Sequence, residues 1–171
     1  MAIAGDYAYV ADFAEGLLVI DVTDPSNPFE VGSVDTPFLG WSVAVSGGFA
    51  YVVEYYFGLR VIDVSDPSTP FVVGSIEDQW PSVAFDVAVS GSHAYLAALG
   101  GGVRVIDVGD PSSPREVGFA PTPSIAKGVA VSAGHVYVTD ERAGLAVYRG
   151  CLVFSDDFES GDTSAWSATA P

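Results

Sequence analysis

Aromatic recognition, metal binding and nucleophilic chemistry each have candidate residues in this chain, and only the first set is well populated. Large rings gather in short glycine-flanked stretches, with Phe13, then Trp41, then Tyr55-Tyr56-Phe57, then Trp80, and an aspartate, Asp86, follows six residues later. Such rings offer flat apolar area with a polar edge, which suits contact with proteins or sugars. Asp86 adds a carboxylate that can meet a polar or cationic group. Near the end of the chain Asp156, Asp157, Glu159 and Asp162 supply oxygen ligands of the type Ca2+ takes, without the spacing of an EF-hand loop. Calcium is therefore the one cofactor these residues suggest, and no other is expected. His93 and His135 have no evident third ligand for zinc. Cys151 is the only cysteine and has no recurring basic partner, and no nucleophile, base and orienting group form a set. The expectation is a protein that is not an enzyme.

The stretches that carry these rings are positioned by a repeat. VIDVTDPSNP at 19–28, VIDVSDPSTP at 61–70 and VIDVGDPSSP at 105–114 share their flanks as well as their core. Upstream lie Ala8-Tyr9-Val10, Ala50-Tyr51-Val52, Ala94-Tyr95-Leu96 and Val136-Tyr137-Val138, and downstream come Val31-Gly32-Ser33, Val73-Gly74-Ser75 and Val117-Gly118-Phe119. Gly16, Gly58, Gly102 and Gly144 precede each central run at separations of 42, 44 and 42 residues. Matching flanks at a fixed period mark a true repeat. Each unit of about 43 residues holds four short runs, termed a (VAVSG), b (AYVA), c (GLRVIDV) and d (EVGS).

These runs are β-branched or aromatic, too short for helices, and separated by turn residues. Glycine-rich steps join a to b, as a tight hairpin requires. Asp-Pro-Ser-x-Pro joins c to d: the Asp side chain can accept from the N–H two residues on, the first Pro presets φ, and the second Pro stops strand c. Four antiparallel strands in 40 to 45 residues is the pattern of a β-propeller blade, and a β-sandwich offers no reason for this period. The expected fold is all-β, a β-propeller of four blades at about 1–35, 36–77, 78–120 and 121–154, with propeller repeats over 1–150 and a tail over 151–171. In such a fold the b–c and d–a loops share one end, so the aromatic residues collect there, opposite the uniform Asp-Pro-Ser turns. Loops that vary on a repeated scaffold are where binding is expected.

Together GLRVIDVSDPSTP, DVAVSGSHAYLA and EVGS resemble the LVIVD repeat, and the likeness runs from residue 1 to about 149. The fourth unit is the poorest copy: Tyr148-Arg149 replaces Ile-Asp, and the Asp-Pro turn is lacking. The resemblance implies a bacterial or archaeal propeller-type protein, secreted or at the cell surface, with a binding or scaffolding surface and no shared catalytic residues. On this reading the chain is a noncatalytic extracellular or cell-surface protein whose loop end takes a protein or carbohydrate. The alternatives are the propeller portion of a larger secreted enzyme, and a purely structural surface protein.

With 22 Asp and Glu against 6 Lys and Arg, the net charge is −16. That field repels phosphate backbones and anionic lipid, so nucleic acid is not an expected partner. No apolar run approaches the roughly 18 residues of a membrane-spanning helix. Met1-Ala2-Ile3-Ala4-Gly5 falls in register with Val87-Ala88-Val89-Ser90-Gly91, which places Met1 inside a core strand. The sequence therefore reads as the C-terminal part of a larger propeller, or as a set of blades that self-associates through an open blade face.

Overall fold

The computed structural model describes residues 1–77 and 83–149. Short extended runs separated by Gly, Pro and Asp turns form four antiparallel sheets, each built from strands consecutive in the chain and paired in sequence order. The first comprises β1 (Ala2–Ala4), β2 (Tyr7–Asp12), β3 (Gly16–Asp21) and β4 (Phe29–Val34). The second comprises β5 (Gly40–Ser46), β6 (Phe49–Glu54), β7 (Gly58–Asp63) and β8 (Phe71–Glu77). The third holds β9 (Asp86–Ser90), β10 (His93–Ala97), β11 (Val103–Asp107) and β12 (Arg115–Ala120). In the fourth, β13 (Ala126–Ser132), β14 (His135–Asp140) and β15 (Gly144–Arg149) are the described strands.

The a strands of neighbouring sheets, β1, β5, β9 and β13, pack successively against one another, so each sheet radiates outward from its first strand as a blade does. Because side chains alternate across a strand, one face of each inner sheet meets the preceding blade and the other meets the next. Tyr9, Leu17 and Val19 of the first blade cluster with Ala50, Val52 and Ile62 of the second. Tyr51, Leu59 and Val61 repeat those positions against Ala94, Leu96 and Ile106 of the third. Tyr95, Val103 and Val105 do so again against Val136 and Val138 of the fourth. Full burial of one such side chain contributes about 1.5–3 kcal/mol.

The triply repeated phrase has a physical reason beyond ending a strand. Within each turn the Asp carboxylate accepts the backbone N–H of the serine two residues on, at 2.9 Å for Asp24 and 3.0 Å for both Asp66 and Asp110. The Asp carbonyl accepts the N–H three residues on. The pre-shaped turn then docks on the glycine of the preceding blade's strand d. A Cβ on Gly32 would lie 2.4 Å from the Pro67 carbonyl oxygen, and one on Gly74 would lie 2.2 Å from that of Pro111. Each c–d pairing also carries a bulge, between Val19 and Ile20, Val61 and Ile62, and Val105 and Ile106, just where the glycine is needed.

Candidate functional site

Four connections meet at the loop end of the first three blades: the β2–β3 loop, the segment entering β5, the β6–β7 loop and the residues before β9. Backbone geometry shapes them first. Asp12 Oδ1 accepts the N–H groups of Ala14 and Glu15 at 2.8 and 3.0 Å, which curls the β2–β3 loop and holds Phe13 at its crest. Tyr55 N–H donates to the Leu39 carbonyl at 2.8 Å and ties the β6–β7 loop to the segment before β5. Within that loop Phe57 N–H donates to the Glu54 carbonyl, and Tyr56 takes a left-handed φ of 63°, a conformation that costs a residue other than glycine on the order of 1 kcal/mol. This holds Tyr56 outward at 72% exposure.

The rings assemble around Trp41. Its centroid lies 4.8 Å from Phe85, 5.6 Å from Tyr55 and 6.3 Å from Phe13, and Tyr55 in turn lies 4.2 Å from Tyr56. Trp41 remains 43% exposed and Phe13 53%. The Tyr55 hydroxyl is pushed above the usual tyrosine value by its hydrogen bond with Tyr56. A second stack stands beside the first. Phe38 lies over Phe57 at 4.7 Å, and the Arg60 guanidinium covers Phe57 at 4.3 Å. Arg60 pairs with Glu54, with Nη2 to Oε2 at 2.8 Å and Nε to the same oxygen at 2.9 Å. Glu54 is fully buried, and the ion pair braces the root of the β6–β7 loop from below.

Of the residues singled out from sequence, Phe13, Trp41, Tyr55 and Tyr56 form the exposed cluster, and Phe57 belongs to the supporting stack. Asp86 stands apart. Its Oδ1 accepts the Ser42 hydroxyl at 2.7 Å and its Oδ2 accepts the Val129 N–H at 2.9 Å, so one carboxylate ties the innermost strands of three consecutive blades together. Trp80 and the acidic residues Asp156, Asp157, Glu159 and Asp162 lie outside the described residues. Among the described residues no group of three or more His, Cys, Asp or Glu is arranged to hold a metal ion. Phe85 and the Glu54–Arg60 pair are the members sequence reasoning did not single out as site residues. Arg60 shares its repeat position with Arg104, and an arginine within an apolar strand was the signal for a buried partner.

The fourth blade curls its loop as the first does and adds one further tie. Asp140 Oδ1 accepts the N–H groups of Arg142 and Ala143, and its Oδ2 accepts the Ser124 N–H at 2.7 Å. Burial acts to raise its pKa, but the three backbone donors together hold it below the ordinary carboxylate value. The β14–β15 loop, Asp140-Glu141-Arg142-Ala143, carries no large ring, so the exposed ring cluster lies on the first three blades.

Two solved structures with a similar architecture are designed proteins. The chain is similar to the computationally designed Ika8 protein, with TM-score 0.69 and 14% identity over 86% of this chain and 44% of that one. It is also similar to the designed Ika4 protein, with TM-score 0.65 and 10% identity over 86% of this chain and 88% of that one. The chain therefore spans less than half the length of the first. At these identities the likeness concerns the fold, and it establishes the four sheets as propeller blades. No curated protein matches the sequence. The LVIVD repeat model matches four times, over residues 1–36, 40–78, 82–122 and 123–147, and these matches account for most of the sequence. With the blades and their repeating positions in agreement with that model, the chain belongs to the LVIVD repeat family.

Proposed function

We propose that this chain is a noncatalytic binding protein, at the cell surface or outside the cell, that holds a protein or glycan against the aromatic end of its blades. One observation carries the reading: Phe13, Trp41 and Tyr56 are exposed yet locked in one contiguous cluster with Tyr55 and Phe85, although each comes from a separate loop or strand end. Rigid rings of this kind add contact area at low entropic cost. A strongly acidic surface favours neutral or cationic partners for them. The placement outside the cell is supported by what the repeat resembles.

The test is a triple variant, Phe13→Ala, Trp41→Ala and Tyr56→Ala, compared with the parent chain on a glycan array and in a pull-down of envelope proteins. Loss of one anchoring ring costs about 2 kcal/mol or more, roughly thirtyfold in Kd, so the triple variant is expected to lose detectable binding. Because all three side chains are exposed, the variant should keep the parent's far-ultraviolet spectrum. Binding that survives in a folded triple variant overturns the proposal.

A further inference from the structure

The same repeat positions that are buried between blades stand uncovered at the two ends of the set. Leu17, Leu59 and Val103 open strand c in the first three blades and are at most 2% exposed, whereas Leu145, their equivalent in the fourth, is 55% exposed. Val19, Val61 and Val105 are buried and Val147 is not, and Tyr9, Tyr51 and Tyr95 are buried while Tyr137 is not. The opposite end mirrors this. Val52, Leu96 and Val138 are fully buried against the preceding blade, but Val10 is half-buried. Ile3, in the register of Val45, Val89 and Val131, is 66% exposed. Pro28 is exposed where Pro70 and Pro114 are buried beside the preceding blade's glycine. Among the described residues, no apolar cluster joins the fourth blade to the first.

We propose that a second copy of this chain covers both faces, the first blade of one copy packing on the fourth blade of the other, so that two copies close one ring of eight blades. Three observations commit the occupant to a second copy. First, the two free faces present the residue types that already mate at the three internal junctions: Tyr137, Leu145 and Val147 repeat Tyr51, Leu59 and Val61, while Ala8, Val10 and Ile20 repeat Ala50, Val52 and Ile62. The contact therefore continues an interface the chain makes with itself. Second, propellers typically close with roughly four to eight blades; these four share no apolar cluster between first and last among the described residues, and two copies supply eight. Third, a head-to-tail contact must either close or propagate, and with about eight blades as the usual upper size of a propeller it closes at two copies. Each copy carries −16 charges, so screening by salt should strengthen the pair instead of weakening it.

The experiment is sedimentation velocity on the 171-residue chain and on two single variants, Ile3→Glu and Leu145→Glu. The parent is expected to sediment at twice the chain's mass, with a dimer fraction that rises between about 50 and 500 mM NaCl. Each variant places a charge at a residue already exposed in a single copy, so each should remain folded by circular dichroism and sediment as a monomer. An equimolar mixture of the two retains one intact junction, the fourth blade of Ile3→Glu against the first blade of Leu145→Glu, and should form a 1:1 pair that neither variant forms alone. A monomeric parent, a parent that polymerises beyond two copies, a dimer that survives either substitution, or a mixture that stays monomeric overturns the proposal.

Discussion

The second blade and the fourth both write Gly-Leu-x-Val into strand c and bury it very differently. Strand β7 reads Gly-Leu-Arg-Val-Ile-Asp and is buried except at its last residue, whereas β15 reads Gly-Leu-Ala-Val-Tyr-Arg and keeps a single buried side chain, Ala146. The first blade has a neighbour on one side too, and Ile3 and Pro28 show it. In a repeat fold most of the energy of a position comes from the neighbouring unit, so equal residues need not contribute equally.

The largest separation between centre and end should appear at the leucine that opens strand c. Leu59→Ala is expected to cost about 2–5 kcal/mol in urea or thermal unfolding, since it empties a fully buried site between the second and third blades. Leu145→Ala, made in the Ile3→Glu background so that no second copy covers it, should change stability by less than about 0.5 kcal/mol. Equal effects at the two positions would break the comparison.

A smaller effect is expected where a turn docks on a glycine. Gly74→Ala drives a methyl into the Pro111 carbonyl and should cost about 1–3 kcal/mol, read as a lowered urea midpoint. Its locus can be checked by hydrogen exchange, with faster exchange expected at β8 and at the turn between β11 and β12.

The smallest effect should not distinguish centre from end at all. Asp24, Asp66 and Asp110 are each held below the ordinary carboxylate value, first by the hydroxyl of the serine two residues on and then by that serine's backbone N–H. A carboxyl with a folded pKa below its unfolded value adds stability that is complete above the unfolded pKa of about 3.9 and disappears as pH falls through the folded one. The melting temperature should therefore fall on acidification below about pH 4. Changing any one of the three aspartates to Ala should flatten that fall by a similar small amount, in the end blade as in the two inner ones, in a thermal melt series from pH 2 to 6.

Much of the architecture was legible because the repeat wrote it several times over. The Asp-Pro-Ser turn, the a–b hairpins and the four-strand unit are local structures, and a local structure needs only its own residues. The gathering of Phe13, Trp41, Tyr55 and Tyr56 at one end followed from the strand order alone. Three features took their final form only between elements distant in the chain, although Phe85 already falls in a loop at the aromatic end and Arg60 already calls for a carboxylate partner. Asp86 serves the strands of three blades through Ser42 and Val129, partners more than 40 residues away on either side. Phe85 enters the ring cluster because the approach to β9 passes beside Trp41. Glu54 turns inward to Arg60, whereas Asp12 and Asp140 at the same repeat position have shorter side chains and accept hydrogen bonds from their own loops.

By itself the amino-acid order determined the period, the strands within each period, the chemistry of their turns and the end at which the rings emerge, because each of these rests on interactions within about ten residues or on a pattern repeated every 43. Only the tertiary structure decided which copies of a repeated residue lie buried, which carboxylate joins strands, and which two faces are left uncovered. Those properties belong to the space between blades, and no single repeat contains that space.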